Sequence, residues 1–362
     1  MAEQVDVVVI GLGVGGEEAA GRLAEAGLNV VGLDPRLVGG ECPYWGCIPS
    51  KMMIRAANLI AETRRVNDMA GTATVQPDWA PVAKRIREEA TDNWNDQVAV
   101  DRLVKKGVTF LRERGTVTGP GRVRAGDREF EATRGIIVAT GTVPVIPPIE
   151  GLAGTPYWTN HEAIEADTLP ASIVVLGGGS IGLELTQVFA RFGVDVTVVE
   201  AADRILALEE PESGELALRA LERDGVTFRT GVRATKVQHG DGGFTVTLDD
   251  GTEAKGEKLL VATGRRAELK SLGLDTVGID LEARAIEVDE HVRAAAGVWA
   301  IGDVTGKGAF TELLLQRHRW SRSQPTEHAN RFGVSELNAL HHCPASVAAS
   351  SPILSDDLEN AG

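Results

Sequence analysis

Two stretches of the sequence decide the fold: residues 5–34 read VDVVVIGLGVGGEEAAGRLAEAGLNVVGLD, and residues 171–200 read ASIVVLGGGSIGLELTQVFARFGVDVTVVE. Each stretch begins with an apolar, β-branched run and passes through a glycine-rich turn into an amphipathic segment. Each then ends with a second apolar run and an acid. This order predicts a βαβ unit with two buried parallel strands. The same unit is therefore expected twice in the chain.

The glycines of both stretches have the G-x-G-x-x-G spacing that is typical of dinucleotide-binding turns. The first glycine allows the tight turn, the second lets the backbone approach a pyrophosphate, and the third lets the helix pack close to the strand. An acid follows the third glycine by 18 residues in each unit, where it can bind a ribose hydroxyl. The predicted residues are Gly11, Gly13, Gly16 and Asp34 in the first unit, and Gly177, Gly179, Gly182 and Glu200 in the second. Two triplets in full βαβ context predict two dinucleotide sites.

A fainter repeat follows each unit. Residues 135–141 read GIIVATG and residues 259–264 read LLVATG, so each is a predicted buried strand that ends in Thr-Gly. Taken alone, this pattern indicates only a core strand with a glycine turn.

Composition narrows the class of protein. The chain has 362 residues, enough for two or three domains, and a net charge of −15, which argues against a nucleic-acid-binding surface. No apolar stretch reaches the length of a bilayer span, and the N-terminus lacks the basic region of a signal peptide. We therefore expect a cytoplasmic enzyme with neither nucleic acid nor a membrane as a partner.

A closely spaced cysteine pair lies in residues 39–51, which read GGECPYWGCIPSK. Pro49 and the residues after it predict a helix that begins near Cys47, and a helix N-terminus lowers the pKa of a thiol. A zinc site needs about four ligands, and no second pair is present in the sequence. A structural disulfide is disfavoured in a reducing cytosol. The pattern favours a reducible, flavin-linked disulfide between Cys42 and Cys47.

These thirteen residues resemble the GGTC-x-x-x-GC-x-P-x-K signature of the pyridine nucleotide–disulfide oxidoreductases, the family of dihydrolipoamide dehydrogenase, glutathione reductase and mercuric reductase. Residues 301–306, which read IGDVTG, are similar to the family's second flavin-binding segment. The resemblance covers about residues 5–311.

The resemblance implies roles for individual residues. FAD would bind at the first glycine turn, with Thr140, Gly141 and Asp303 completing its site, and the nicotinamide dinucleotide at the second, with Gly264 nearby. Cys47 would be the thiol against the flavin and Cys42 the thiol that exchanges with substrate. Lys51 would lie near the flavin ring and pair with Glu184. Without the resemblance, Lys51 and Glu184 are interpreted as an ordinary solvated lysine and an ordinary helix acid.

The choice of nicotinamide cofactor rests on Glu200. An acid at this strand end accepts a ribose 2′-hydroxyl and repels a 2′-phosphate, so the sequence favours NAD over NADP. Arg204 lies four residues further on and would weaken that preference.

The expected fold class is α/β, with an NAD-binding Rossmann-like domain inserted in an FAD-binding one. We expect the FAD domain at 1–150 and again at 271–311, and the NAD domain at 151–270. Residues 312–362 do not match the family's C-terminal interface domain: none of His318, His328, His341 and His342 has a glutamate five positions later. This segment is expected to be an atypical, poorly ordered tail in which Cys343 is incidental, with the interface domain and its homodimer contact missing.

The expected activity is that of an FAD-dependent oxidoreductase. Electrons would pass between NAD(P)H, flavin, the cysteine pair and a small disulfide substrate, as in dihydrolipoamide dehydrogenase. One alternative is a mercuric reductase-like enzyme that acts on a thiophilic metal ion. The other is a remnant that binds FAD and NAD without disulfide turnover.

Overall fold

The computed structural model describes residues 2–307. Its strands, in chain order, are β1 Glu3–Ile10, β2 Val30–Leu33, β3 Thr109–Leu111, β4 Gly115–Gly119, β5 Arg122–Ala125, β6 Arg128–Val138, β7 Val143–Pro144, β8 Ser172–Leu176, β9 Asp195–Glu200, β10 Thr227–Thr230, β11 Ala234–Gly240, β12 Gly243–Leu248, β13 Glu253–Gly256, β14 Lys258–Val261, β15 Arg265–Arg266, β16 Arg293–Ala295 and β17 Val298–Ala300.

The α-helices over the same residues are α1 Val14–Glu25, α2 Glu41–Trp45, α3 Cys47–Met69, α4 Ala80–Arg85, α5 Gln97–Lys105, α6 Asn160–Glu165, α7 Ser180–Arg191 and α8 Pro211–Arg223. A π-helical turn at Ile86–Ala90 follows α4, and 3₁₀ turns lie at Leu274–Val277 and Gly302–Thr305.

The described chain forms two compact units. The first comprises residues 2–44, 94–143 and 265–307, and the second comprises residues 45–93 and 144–264. The second unit is therefore inserted into the first along the chain. The predicted α/β class, with one Rossmann-like unit inserted in another, is confirmed.

The sheet of the first unit has the strand order β16-β17-β6-β1-β2-β3. Strand β1 is central and pairs in parallel with both β2 and β6, so that Val8 lies between Val31 and Ile136. A β4–β5 hairpin joins this sheet through the antiparallel pair β5–β6. Because β1 is buried on both faces, its valines and isoleucine pack into a core on each side.

The second unit has a parallel sheet of order β10-β9-β8-β14 and a separate antiparallel sheet of order β11-β12-β13. Aliphatic residues of β8, β9 and β14 and the buried ring of Phe244 on β12 share one core. Both βαβ predictions thus correspond to parallel strand pairs, β1–β2 and β8–β9.

Helix α3 and the segment after it belong to the second unit, whereas the sequence analysis assigned residues 45–93 to the FAD domain. The reason is packing on α7. The Arg64 guanidinium on α3 donates to the Arg191 carbonyl at 3.3 Å, and the Trp79 ring meets the Phe192 ring edge-on at 5.1 Å between centroids. The chain also passes from the first unit to the second between residues 143 and 144, and back between residues 264 and 265, rather than at 150/151 and 270/271. The predicted tail at 312–362 lies outside the described residues.

Candidate functional site

The first glycine turn follows β1, and its three glycines are required for different reasons. Gly11 has φ +93°, and a Cβ there would lie 2.6 Å from the Ala139 carbonyl oxygen. A Cβ on Gly16 would lie 2.0 Å from the Gly11 carbonyl oxygen, so this glycine lets α1 pack against the turn. Gly13 has φ −63°, and no atom lies within 4 Å of the position a Cβ would take. That open position at the start of α1 is where a pyrophosphate would approach the backbone.

Asp34 lies directly after β2 and is buried. Its carboxylate accepts the backbone N–H of Leu12 at 2.7 Å and that of Arg36 at 2.8 Å. The acid therefore holds the glycine turn in shape. Each carboxylate oxygen retains a further lone pair with which to accept a ribose hydroxyl.

Thr140 and Gly141 follow β6 at the same edge of the sheet as the glycine turn. Among residues 2–307, the buried Thr140 Oγ1 has no hydrogen-bond partner. Gly141 has φ +64° and open space on its Cβ side. A buried hydroxyl without a partner is costly, so this corner fits a bound polar ligand such as FAD.

Asp303 lies in the 3₁₀ turn Gly302–Thr305 of the same unit. Burial raises the pKa of its carboxyl, while the Arg265 charge and a hydrogen bond from the Thr142 hydroxyl lower it. Arg265 Nε also donates to the Thr142 hydroxyl at 2.9 Å, and Arg265 forms an ion pair with Glu41 at 3.4 Å. Sequence reasoning identified Asp303 but missed Thr142, Arg265 and Glu41. The two Thr-Gly repeats directly precede Thr142 and Arg265, and Glu41 lies beside Cys42 in the cysteine signature, so these positions could have drawn attention to the three residues.

The second glycine turn, after β8, repeats the steric pattern of the first. Gly177 has φ +110°, and a Cβ there would lie 2.4 Å from the Ala262 carbonyl oxygen. A Cβ on Gly182 would lie 2.5 Å from the Gly177 carbonyl oxygen. Gly179 has no atom within 4 Å of a Cβ position, and Gly264, at φ +114°, is open in the same way. This turn also fits a dinucleotide pyrophosphate.

Glu200 ends β9 and matches Asp34 in its bonding. Its carboxylate accepts the N–H of Gly178 at 2.5 Å and that of Ala202 at 2.7 Å. The Arg204 guanidinium donates to the carbonyl oxygens of Leu206 at 2.9 Å and of Glu209 at 2.8 Å. Arg204 is thus engaged with its own loop, whereas the sequence analysis considered it as a group that weakens the NAD preference.

The two cysteines lie on consecutive helices, Cys42 within α2 and Cys47 as the first residue of α3. Both are half-buried thiols. The boundary between the two units falls between them, at Tyr44 and Trp45. In the first unit, burial raises the pKa of Tyr44 to about 12, with smaller contributions from the charges of Asp96 and Glu17.

Glu184 projects from α7, about one and a half turns after Gly179, and is half-buried. Burial raises the pKa of its carboxyl, the Lys51 ammonium lowers it, and a negative charge on Cys47 raises it. These three groups of the second unit therefore share one electrostatic environment. Lys51 itself is exposed, and its charge acts on the Glu184 carboxyl. The direct pairing of the two side chains stays a prediction.

The geometry of two dinucleotide turns and a cysteine pair agrees with comparisons of the whole sequence. The sequence profile of the pyridine nucleotide-disulphide oxidoreductases matches residues 5–330. The chain belongs to this family. Its members use FAD and NAD(P)H, and the open positions at Gly13 and Gly179 fit those groups.

Individual relatives give the same result. The chain is 32% identical over 341 residues to the dihydrolipoyl dehydrogenase of Rhizobium etli, covering 84% of this chain and 68% of the relative. It is 32% identical over 318 residues to the mercuric reductase of Acidithiobacillus ferrooxidans, covering 85% of this chain and 57% of the relative. The chain thus spans between about half and two thirds of the length of these relatives.

Solved structures with the same fold include the Cu(II) complex of the HOCl-induced flavoprotein disulfide reductase RclA of Escherichia coli. That structure has 27% identity and a TM-score of 0.77, and the match covers 90% of this chain and 72% of that one. LpdA of Mycobacterium tuberculosis has 28% identity and a TM-score of 0.74, with 86% and 70% covered.

Residues 2–307 lack two further features. No described helix is long and apolar enough to cross a membrane. No group of three or more histidine, cysteine or acidic side chains is placed to hold a metal ion within the same residues.

Proposed function

We propose that this chain transfers electrons between NADH and the Cys42–Cys47 pair by way of FAD, and from the pair to a small disulfide, as a dihydrolipoyl dehydrogenase does. FAD and the nicotinamide supply hydride and two-electron chemistry when bound. The chain's own residues bind the two dinucleotides, position the thiols and control their charge. The proposed location is the cytoplasm, where the pair would be kept in exchange with small thiols.

The observation that carries this proposal is the environment of Glu184. The helix that begins at the second glycine turn carries this acid, and the Cys47 thiol influences its pKa. A redox-capable thiol and a dinucleotide-type turn therefore meet at one helix of one unit.

The proposed division of labour gives Cys42 the exchange with substrate and Cys47 the exchange with the flavin. In substrate reduction, the Cys42 thiolate attacks the substrate disulfide and releases one substrate thiol. Cys47 then displaces the second substrate thiol from Cys42, which re-forms the Cys42–Cys47 disulfide. Lys51 favours the carboxylate form of Glu184 through its positive charge.

NADH is the proposed nicotinamide cofactor because Glu200 offers a carboxylate and Arg204 is engaged with backbone carbonyls. We expect NADH to reduce the flavin at least about tenfold more efficiently than NADPH, and Glu200→Gln to narrow that ratio. The matched control is Asp195→Asn, at the opposite end of β9. A wild-type preference for NADPH would contradict the assignment.

A second candidate is reduction of a thiophilic metal ion bound by the cysteine pair. It is favoured by the mercuric reductases among the relatives, which are 32–33% identical to this chain. It uses the same electron path, so the two candidates differ only at the final acceptor. Steady-state assays with lipoamide and with Hg(II), on one preparation, separate them.

The test of the shared part is an anaerobic reductive titration that counts electrons per bound FAD. We expect the wild-type chain to take up two electrons more than FAD alone, because the disulfide is a second acceptor. Cys42→Ser and Cys47→Ser should each abolish the extra uptake. Cys343→Ser is the matched control and should leave it unchanged. Equal uptake in the wild type and the Cys42→Ser chain would instead support a dinucleotide-binding remnant without disulfide turnover.

A further inference from the structure

The segment between the two cysteines is held by helix α6 through Trp45. The indole ring stacks on the His161 imidazole, with centroids 4.4 Å apart and planes 3° from parallel. Its Nε1–H donates to the Glu165 carboxylate at 2.6 Å, and the Trp45 carbonyl accepts the Asn160 amide N–H at 2.7 Å. One helix of the second unit thus fixes the ring face, the ring N–H and the backbone of a single residue.

Helix α6 is firmly held despite its six residues. It begins with a capping box in which the Thr159 side chain accepts the His161 N–H at 3.2 Å and the Glu162 carboxylate accepts the Thr159 N–H at 2.6 Å. Ala163 and Ile164 are buried. A helix this short has little stability of its own, so the cap and the buried face are what hold it in place.

The segment that Trp45 anchors has little helical stability of its own. Helix α2 has only five residues and ends at Trp45. Gly46, with φ −136° and ψ −121°, is not helical and separates α2 from α3. A single helical turn is not stable through its own hydrogen bonds. Contacts made by Trp45 therefore limit the conformations open to the residues between Cys42 and Cys47.

We infer that Trp45 and His161 are positioning residues that set the thiol–disulfide equilibrium of the cysteine pair, an inference that rests on the proposed redox function. Disulfide formation requires the two Cα atoms to come within about 4.4–6.8 Å of each other. A segment that is restricted to conformations compatible with this approach presents one thiol to the other at a higher effective concentration. Loosening Trp45 should therefore shift the equilibrium toward the dithiol.

The experiment equilibrates the purified, FAD-containing full chain in glutathione redox buffers. Two glutathione thiols convert the protein disulfide to two protein thiols and leave as one glutathione disulfide, so electrons and protons balance. Acid quenching, alkylation and intact-mass analysis count the thiols. The dithiol form carries three adducts, because Cys343 also reacts, and the disulfide form carries one.

The main variant is His161→Ala, which removes the ring beneath Trp45. We expect the equilibrium constant to move about three- to tenfold toward the dithiol, and a tenfold change corresponds to about 30 mV for this two-electron couple. Glu165→Ala removes an exposed acceptor with little risk to folding and should give a smaller shift in the same direction. His239→Ala is the matched control, since His239 also packs on an aromatic ring of this unit, that of Phe244, at 4.5 Å.

The outcomes separate this inference from the proposed function. A wild-type chain that forms no Cys42–Cys47 disulfide in any buffer contradicts both. A normal wild-type equilibrium that is unchanged in folded His161→Ala and Glu165→Ala chains contradicts the positioning role alone. An equal shift in His239→Ala would show a general loosening of the unit and would also contradict it. Far-UV circular dichroism and FAD content establish that each variant is folded.

Discussion

At the scale of single residues, the glycine turns contain two kinds of glycine. Gly16 is required by the protein itself, since a carbonyl oxygen occupies the place of its Cβ. Gly13 has ordinary backbone angles and open space, so nothing within the described chain requires glycine there. The physical requirement at Gly13 must come from a group that the turn binds.

This distinction predicts opposite effects of one substitution. Gly13→Ala should leave the unfolding midpoint of the FAD-free chain nearly unchanged and weaken FAD binding by about tenfold or more, because the methyl group occupies the pyrophosphate position. Gly16→Ala should lower the free energy of unfolding by about 2 kcal/mol or more through overpacking. Thermal unfolding and FAD fluorescence titration measure the two effects.

Gly179→Ala serves as the control for Gly13→Ala, because it makes the same change in the second turn. It should weaken NADH binding and spare FAD. Loss of FAD from both variants alike would contradict the assignment of one cofactor to each turn.

Glu184 gives a prediction on pH. Its folded-state pKa is raised by burial, so the folded chain holds this proton more tightly than the unfolded chain. Stability from this group is therefore greatest below its ordinary pKa and is lost as the pH rises through the raised value. We expect Glu184→Gln to unfold at a higher temperature than the wild type at pH 7. The difference should vanish near pH 4, below the ordinary glutamate pKa of about 4.3.

The pH prediction is controlled by Glu222→Gln, which changes an exposed acid on α8. Its unfolding midpoint should follow that of the wild type at both pH values. A Glu184→Gln midpoint that is lower at pH 7 would mean that attraction to Lys51 outweighs burial.

At the scale of elements, one buried arginine of α7 links three helical segments of the second unit. The Arg191 side chain is 9% exposed, forms an ion pair with Asp224 after α8 at 2.9 Å, and donates to the Asn58 side chain on α3. Three helical segments thus converge on one guanidinium. This arrangement explains why α3 belongs to the second unit although it follows the first glycine turn in sequence.

Removal of the Arg191 charge should lower the free energy of unfolding. Arg191→Met leaves the Asp224 carboxylate without its partner in a poorly solvated place, and we expect a loss of about 3 kcal/mol in the free energy of unfolding. Arg219→Met is the matched control, because Arg219 pairs with Glu215 on the exposed face of α8 and should cost less than about 0.5 kcal/mol. Urea unfolding measures both. Equal losses of unfolding free energy in the two variants would show that the buried Arg191 contacts stabilise the unit no more than the exposed pair does.

At the scale of the whole molecule, the chain is acidic, with a net charge of −15, although its proposed cofactors are anions too. The two glycine turns resolve this conflict locally. Backbone N–H groups at the starts of α1 and α7 attract a pyrophosphate without any basic side chain. A net charge alone would have argued against such ligands, and the motif is the better guide.

How much could be predicted from sequence depended on how local each interaction is. The glycine turns and their acids were predictable because each lies within thirty residues of chain. The group of Asp303, Thr142, Arg265 and Glu41 was not, because four distant segments meet only once the β17-β6-β1 order has formed. The Trp45–His161 stack joins residues 116 positions apart; Trp45 occupies an unspecified position of the cysteine signature, and His161 belongs to no motif.

The burial of Tyr44 has an optical consequence. Thiolates and phenolates absorb in the same part of the ultraviolet, so tyrosines usually obscure a spectroscopic titration of cysteines. The chain has two tyrosines, and the phenol of Tyr44 stays neutral because its pKa is raised to about 12. In a Tyr157→Phe chain, the absorbance that develops between about pH 7 and pH 10, where thiols ionise, should come from cysteines alone. The ionisation of the cysteines can therefore be followed by absorbance without interference from the Tyr44 phenol.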